Sequence, residues 1–389
     1  MKKFDIAILG AGASGCMCAI NCLYNRKSVV LIDKVSQAGK KLLATGNGRC
    51  NITHIGLSNK HAYNQNLDQY FNRFDDGQTI CLFRDLGLEL CDDGEKRVYP
   101  RTNSAKSVID VFYNNFAKNK NLLLQLETEI INVEKQDDVF KVTTNKGEFM
   151  CQKLVVALGG NKGQEILDKF EIPYQKFIPS LCALKTEKTK LLENTRVSNV
   201  KVTATTKSGR SYKESGEILF KDSGISGICI FNLSAMFARE GKFEGSIAID
   251  LMPDYDEKFL KILLHERKKI DVKLSKFFEG LFVNPLAYHL LNTLKLNEEK
   301  SSKNLTDAEI DKMAKLIKNL TFTVKGNYDN NQVYTGGVHL SCLDENLQSK
   351  QVPNLYFCGE ICDVDGICGG YNLQWAWTSG HIVGLALNN

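Results

Sequence analysis

The chain has 389 residues, 43% of them apolar and 24% charged, with a formal net charge of +5; that is the balance of a soluble globular protein, and the length calls for two or three domains rather than one core. No stretch is long and apolar enough to span a bilayer, and Lys2-Lys3 meets Asp5 and a glycine turn too soon for a signal peptide. Thirteen cysteines without such a signal fit a reducing cytoplasm and argue against a disulfide framework; Cys358, Cys362 and Cys368 lack CxxC or paired-His spacing, so no metal is expected.

Phe4 to Leu9 is a short apolar strand that runs into Gly10-Ala11-Gly12-Ala13-Ser14-Gly15. Gly10 serves the tight turn, Gly12 the close approach of a pyrophosphate, and Gly15 the packing of the helix that follows, expected over Cys16 to Asn25. The start of that helix offers free N–H groups, Ala13 and Ser14 among them, to phosphate oxygens. A second strand, Ser28 to Ile32, ends at Asp33, placed to accept hydrogen bonds from ribose hydroxyls, with Lys34 beside it. The ordered set of strand, glycine triplet, helix, strand and acid predicts a bound dinucleotide.

The stretch 37–53 carries Lys41, Thr45, Gly46, Gly48, Arg49, Cys50 and Asn51 and is too polar and glycine-rich for a regular element. It is expected to wrap the same ligand, Gly46 and Gly48 aiming backbone amides at anionic oxygens and Arg49 offsetting negative charge; a surface loop with a solvated arginine is the alternative. Asn64 to Leu86 reads as one helix ended by Gly87, then a strand at Leu88–Leu90. Ser104 is the expected cap of a helix whose Ala105, Val108, Ile109, Phe112 and Phe116 share one face. Thr128 to Leu158 alternates as three strands with a turn at 145–147, and the last returns the chain to the sheet at Gly159.

From residue 185 the pattern becomes short strands rich in Lys and Arg, a small β-barrel-like insert over 185–253 and 320–334. Residues 254–319 are helical, with Asn304 or Thr306 capping the last helix. The first domain, 1–184, resumes at 335–389, where a strand ends at Gly359-Glu360. Asp363, Gly370, Tyr371 and Asn372 follow at the start of a final helix, whose N-terminus suits a ring that gains negative charge on reduction. The fold class is therefore α/β, and a dinucleotide domain with a three-stranded meander before a glycine-ended strand resembles the FAD-binding Rossmann domain of the glutathione-reductase type, here interrupted by a β-barrel-like domain and a small helical insert.

Four segments together resemble the BaiN/YhiN-like NAD(P)/FAD-dependent oxidoreductases, also described as aminoacetone-oxidase-like flavoproteins. They are Gly10 to Gly15 with Asp33, the run from Lys41 through Gly46-Asn47-Gly48-Arg49-Cys50-Asn51 to Thr53, Thr335-Gly336-Gly337-Val338, and Gly359-Glu360 through Gly369-Gly370-Tyr371-Asn372-Leu373-Gln374. The resemblance implies tightly bound FAD, held by Gly10, Gly12, Ala13, Ser14, Gly15, Asp33, Lys34, Lys41, Thr45, Gly46, Gly48, Arg49, Cys50, Asn51, Gly159, Gly359, Glu360, Asp363, Gly370, Tyr371 and Asn372. It also implies NAD(P)H as a visiting reductant, and reduction of a C=C bond conjugated to a carbonyl, in a steroid-like enone or in a uracil of large-subunit ribosomal RNA. Cys50 and Tyr371 are the candidate acids, Cys50 reading equally as a packed thiol, and Arg49 the candidate electrostatic partner. An amine oxidase releasing hydrogen peroxide and a non-enzymatic flavin-binding protein are the competing functions. Phe220-Lys221-Asp222-Ser223 departs from the family, which usually has Thr-His where this chain has Lys-Asp.

Overall fold

The computed structural model describes residues 2–23, 27–57, 62–328 and 333–388, which form two compact units, Met1–Ile178 with Val333–Asn389, and Pro179–Gln332. The joins fall at 178/179 and 332/333, against expected joins at 184/185 and 334/335.

In chain order the first unit supplies β1 (Lys2–Leu9), α1 (Ala13–Cys22), β2 (Val29–Ile32), α2 (Asp76–Asp85), α3 (Ala105–Ala117), β3 (Leu122–Gln125), β4 (Ile130–Gln136), β5 (Val139–Thr144) and β6 (Gly147–Val156). The second supplies β7 (Leu184–Lys185), β8 (Arg196–Thr206), β9 (Ser211–Lys221), β10 (Gly224–Ser226), α4 (Ile228–Arg239), β11 (Gly245–Asp250), α5 (Glu257–Lys268), α6 (Asn284–Thr293), α7 (Asp307–Lys318), β12 (Leu320–Val324) and β13 (Gly326–Asn327). The first unit then closes with β14 (Leu355–Phe357) and α8 (Tyr371–Ala386).

The main sheet of the first unit runs β3-β2-β1-β6-β5-β4, with β14 also on β6. Its β3, β2, β1, β6 and β14 pair in parallel. Ile6–Leu9, Val29–Ile32 and Leu154–Val156 are wholly buried, as continuous apolar runs must be when both faces of a parallel sheet are covered. The antiparallel β4-β5-β6 meander alternates instead, Phe140 and Val142 pointing inward between half-buried neighbours.

Several elements differ from expectation. The first helix starts three residues early, at Ala13, and its expected end at Asn25 lies outside the described residues. The stretch 64–86 is not one helix. A single turn at Asp68–Phe71 stops, and α2 starts afresh because Asp75 and Gln78 form a reciprocal capping box. The strand expected at Leu88–Leu90 lies at Leu90–Asp92, since a Schellman pair, Gly87 N–H to Arg84 O and Leu88 N–H to Phe83 O, still occupies the chain there. Residues Lys40–Gly48 are 3-10 turns broken at Thr45–Asn47 rather than an irregular loop. Ser104 stands at the start of α3 without a side-chain capping bond.

The second unit is built on an antiparallel sheet ordered β12-β11-β8-β9-β10-β7-β13, its two edge strands joined through Lys325 alone. α5, α6 and α7 add to a core separate from that of the first unit, with Leu260, Leu264, Leu286, Leu290, Ile310 and Met313 buried. Thr306, not Asn304, caps α7, in a capping box with Glu309. The first unit holds 25 Lys and Arg against 25 Asp and Glu; the second holds 25 against 20, so the formal excess of +5 lies entirely in the second. Among the described residues no helix is long and apolar enough to cross a membrane, and no three His, Cys, Asp or Glu side chains gather as metal ligands. None of the thirteen cysteines is joined to another by a disulfide.

Candidate active site

The turn after β1 is fixed by backbone crowding. Gly10 has φ +105°, and a Cβ there would stand 2.6 Å from Ala157 O; a Cβ on Gly15 would stand 1.9 Å from Gly10 O. At Gly12 an added Cβ would meet nothing within 4 Å, so the loop faces open space at that residue alone of the three. α1 begins there with no side-chain cap and no acid in its first turn. The N–H groups of Ala13, Ser14 and Gly15 are therefore without intrahelical partners, which makes an anion site. Asp33 braces the loop: Oδ2 accepts from Ala11 N–H at 2.7 Å and Oδ1 from Val35 N–H at 3.2 Å. The Ser14 hydroxyl donates to Cys358 O (3.2 Å), so only its N–H faces the open side. Lys34 is not brought in; exposed, it lies 4.0 Å from Glu129.

A second group joins three distant stretches. Lys41 Nζ lies 3.1 Å from Glu360 Oε2, while Glu360 Oε1 accepts from Tyr334 N–H at 2.9 Å, and a Cβ on Gly159 would stand 2.5 Å from Glu360 Oε2. Gly359 is pinned by Ser379 and Trp375, whose indole N–H donates to Gly359 O at 3.1 Å. Asp363 is tied to the chain before α2: its Oδ1 accepts from Asn64 Nδ2 at 3.3 Å, and its carbonyl from Asn64 and Gln65.

Thr45 to Asn51 forms the third group. The Thr45 hydroxyl donates to Leu42 O at 2.7 Å, Gly46 and Gly48 carry positive φ, and Arg49 Nε donates to Gly46 O at 3.2 Å. The Arg49 guanidinium lies 4.5 Å above the Tyr99 ring and, among the described residues, has no carboxylate within 4 Å. Cys50 is wholly buried with φ +61°, and burial pushes its thiol up to about 12. A thiol that is closed off and holds its proton so firmly matches the packed-thiol reading of Cys50 better than the acid reading. Asn51 Oδ1 is buried without a partner, beside Gly370, where a Cβ would stand 2.9 Å from it. The buried Tyr371 opens α8, itself without a side-chain cap; its ring stacks on His54 (5.0 Å) and meets Tyr63 edge-on (5.7 Å). Asn372 spends much of its amide on a turn. Its Oδ1 accepts from Gly366 N–H (2.9 Å) and its Nδ2 donates to Gly366 O (2.8 Å), so both ends of the amide clasp a turn.

The arrangement fits a dinucleotide. Free N–H groups at the open side of Gly12 suit a pyrophosphate, and the orphaned Asn51 acceptor suits a ring N–H; FAD carries both. Tyr334, Ser379 and Gln374 were not among the expected site residues. Gln374 ties the region together, accepting from Thr53 Oγ1 at 2.6 Å and donating to Thr79 and Thr378 at 2.9 Å. Its place in the Tyr-Asn-Leu-Gln segment was a usable signal; for Tyr334 the sequence offers none.

Comparison with known proteins agrees with this geometry. The family model described as the HI0933-like protein Rossmann domain matches residues 4–386. A 3-dehydro-bile acid delta(4,6)-reductase of Clostridium scindens is 27% identical over 405 residues, 98% of each chain. A ribosomal RNA dihydrouridine synthase of Escherichia coli is 29% identical over 412 residues, 97% of this chain and 96% of that one. Among solved structures, a quinol-fumarate reductase with menaquinol aligns over all of this chain and 71% of its own at 12% identity and TM-score 0.50, which speaks to the fold alone.

Proposed function

We propose a reaction for this chain from one premise: it belongs to the HI0933-like Rossmann family, flavoproteins of the BaiN/YhiN type. The reaction is reduction of a C=C bond conjugated to a carbonyl, with FAD held in the first unit and NAD(P)H as the electron source. What carries the cofactor reading is the uncapped start of α1 beside the open side of Gly12, braced by Asp33. What supports the reaction is that two relatives alike along nearly their whole length are named for saturating such bonds, one in a 3-dehydro-bile acid and one in ribosomal RNA. The antiparallel sheet and helices of the second unit are read as the barrel-like and helical inserts, and cysteines without disulfides suit a reducing cytoplasm.

Once bound and reduced by NAD(P)H, the flavin would supply a hydride for the β-carbon of the conjugated bond, and the protein supplies the one proton the α-carbon takes. Gly12, Ala13, Ser14 and Gly15 present N–H groups to the pyrophosphate, and Asp33 keeps lone pairs for a ribose hydroxyl. Lys41, Gly159 and Glu360 line the ribityl side. Arg49, held over Tyr99 and with no carboxylate beside it among the described residues, offsets negative charge on the ring or on the substrate carbonyl. Tyr371 is taken as the proton donor, with Cys50 the alternative.

The test is anaerobic: protein reduced by light is mixed in turn with a steroid-like enone, a uracil-containing ribosomal RNA fragment and oxygen. Reoxidation by enone or RNA, with the saturated product found by mass spectrometry, supports the reading. Turnover only with oxygen and an amine, releasing peroxide, would replace it with the amine-oxidase function.

A further inference from the structure

We propose, on the reading of Tyr371 as donor in the reaction above, that His54 is a positioning residue for it: the stacked imidazole holds the phenol in place and, once it carries a second proton, eases release of the phenol's own. His54 lies one residue past the loop that carries the family likeness, in a two-residue strand, Thr53–His54, that pairs antiparallel with Arg97–Pro100. The register sets His54 opposite Arg97, whose guanidinium is held by Asp93 at 2.7 Å and by Glu95. The imidazole and the Tyr371 ring lie 5.0 Å apart and 20° from parallel. Both present an edge to Gly369, where a Cβ would stand 3.4 Å from Tyr371 Cε2 and 4.0 Å from His54 Cδ2.

One contact fixes the tautomer. His54 Nδ1 lies 3.0 Å from Ile55 O, and a carbonyl only accepts, so Nδ1 carries a hydrogen. Ile55 is itself held, its N–H donating to Lys96 O at 2.8 Å. Nε2 therefore keeps its lone pair, and among the described residues it has no hydrogen-bond partner, which leaves it open to the second proton. Tyr371 is buried, and a phenol that gives its proton to a substrate carbon there becomes an anion where water reaches poorly. Tyr63 meets the ring edge-on but spends its hydroxyl on the Tyr371 carbonyl, at 2.8 Å. Asp76, engaged with Gly56 N–H at 3.1 Å, is an anion, and the half-buried thiol of Cys368 precedes Gly369. The start of α8 favours the phenolate at every pH; the stacked imidazolium favours it only while doubly protonated. The phenol O–H breaks as the α-carbon C–H forms, the imidazolium keeps both of its hydrogens, and the phenolate regains a proton from water. The effect is whole at acid pH and is lost as pH rises through the imidazole's titration.

Full-length protein with its flavin is reduced by light without oxygen and mixed with the steroid-like enone or the ribosomal RNA fragment, and flavin reoxidation is followed from pH ~5 to pH ~8. The wild-type rate is full at the acid end and falls about tenfold toward the alkaline end. His54→Phe, which keeps a ring in the stack, reacts at the slow rate throughout. His54→Gln also loses the pH dependence and is slower still, because the phenol is no longer held. Flavin content, read from visible absorbance, stays at the wild-type level in both. Nitrogen NMR of histidine-labelled protein is the second readout, the His54 signals being those missing from His54→Phe: hydrogen on Nδ1 alone at the alkaline end and on both nitrogens at the acid end. If neither acceptor reoxidises the flavin, or if Tyr371→Phe reacts as fast as wild type, the donor reading fails and His54 has nothing to act on. If Tyr371→Phe is slow while His54→Phe and His54→Gln keep the wild-type rate and pH dependence, or if NMR finds the alkaline hydrogen on Nε2, the role of His54 is overturned and the donor reading stands.

Discussion

The two units use their polar residues in opposite ways. The first carries equal numbers of acidic and basic side chains and spends its specificity on backbone, with Gly10 and Gly15 packed against carbonyl oxygens and Gly12 left open. The second carries all of the excess positive charge and is built on an antiparallel sheet, with no glycine loop after a parallel strand among the described residues. A ligand held for the life of the protein is best met by N–H groups that cost little to organise; one that comes and goes is better met by long, mobile cations. The difference teaches where to look for each.

The largest test of that contrast is a pair of changes five or fewer residues apart in one loop. Gly15→Ala puts a methyl group 1.9 Å from Gly10 O, so the first unit should fail to fold, giving no soluble yellow protein on expression. Gly12→Ala meets no protein atom, so the thermal midpoint without ligand should stay within about 2 °C while the FAD dissociation constant, measured by fluorescence quenching, rises about 100-fold. Equal effects from the two would mean the open side of Gly12 holds nothing.

Next in size is a pH effect confined to the first unit. Burial, with Arg73 adding to it, pushes His381 down to about 4, and its ring stacks on Phe74 at 3.9 Å with Nδ1 unpartnered. The folded value lies below the ordinary 6.5, so the unfolded chain binds the proton more readily. The contribution is whole above pH ~6.5 and is lost as pH falls toward ~4, about 2 kcal/mol by pH ~5. Urea denaturation at the two pH values should show that loss in wild type and not in His381→Gln. A smaller effect is expected from Asn372→Ala, which breaks the Gly366 clasp: about 2 kcal/mol of stability, with the flavin dissociation constant changed less than about threefold. A large change in flavin affinity instead would show Asn372 to be a ligand.

How far the sequence reached follows from the range of the physics involved. Gly10, Gly12 and Gly15 were legible because their requirement is local, set by a turn and a strand within a few residues. Cys50 stayed open between an acid and a packed thiol, and Asn372 was read as a ligand with no sign of the turn it clasps. Whether a thiol is closed off depends on neighbours far away in the chain, and an amide in a glycine-rich loop serves a ligand or a turn equally well. The break between Phe71 and Asp76 was missed for the opposite reason: Asp75 and Gln78 spell a capping box, but the apolar periodicity ran straight across it. The stacking of His54 on Tyr371 joins the two stretches of chain on either side of the second unit, and no local pattern spells it.

The smallest predicted effect asks whether the second unit's charge is there to hold the fold at all. Lys207 and Glu244 approach to 2.6 Å at the end of the β8–β9 hairpin, and the pair holds the lysine above and the carboxylate below its ordinary range. Both side chains are nonetheless largely in solvent, where water and salt screen the attraction and fixing two long side chains costs entropy. Lys207→Ala should therefore move the thermal midpoint by no more than about 1 °C, in low salt as in high. A fall of several degrees that disappears in salt would show that surface cations stabilise this unit directly. The excess charge would then be accounted for by folding, and the contrast between a unit that encloses its ligand and a unit that presents charge to one would lose half its basis.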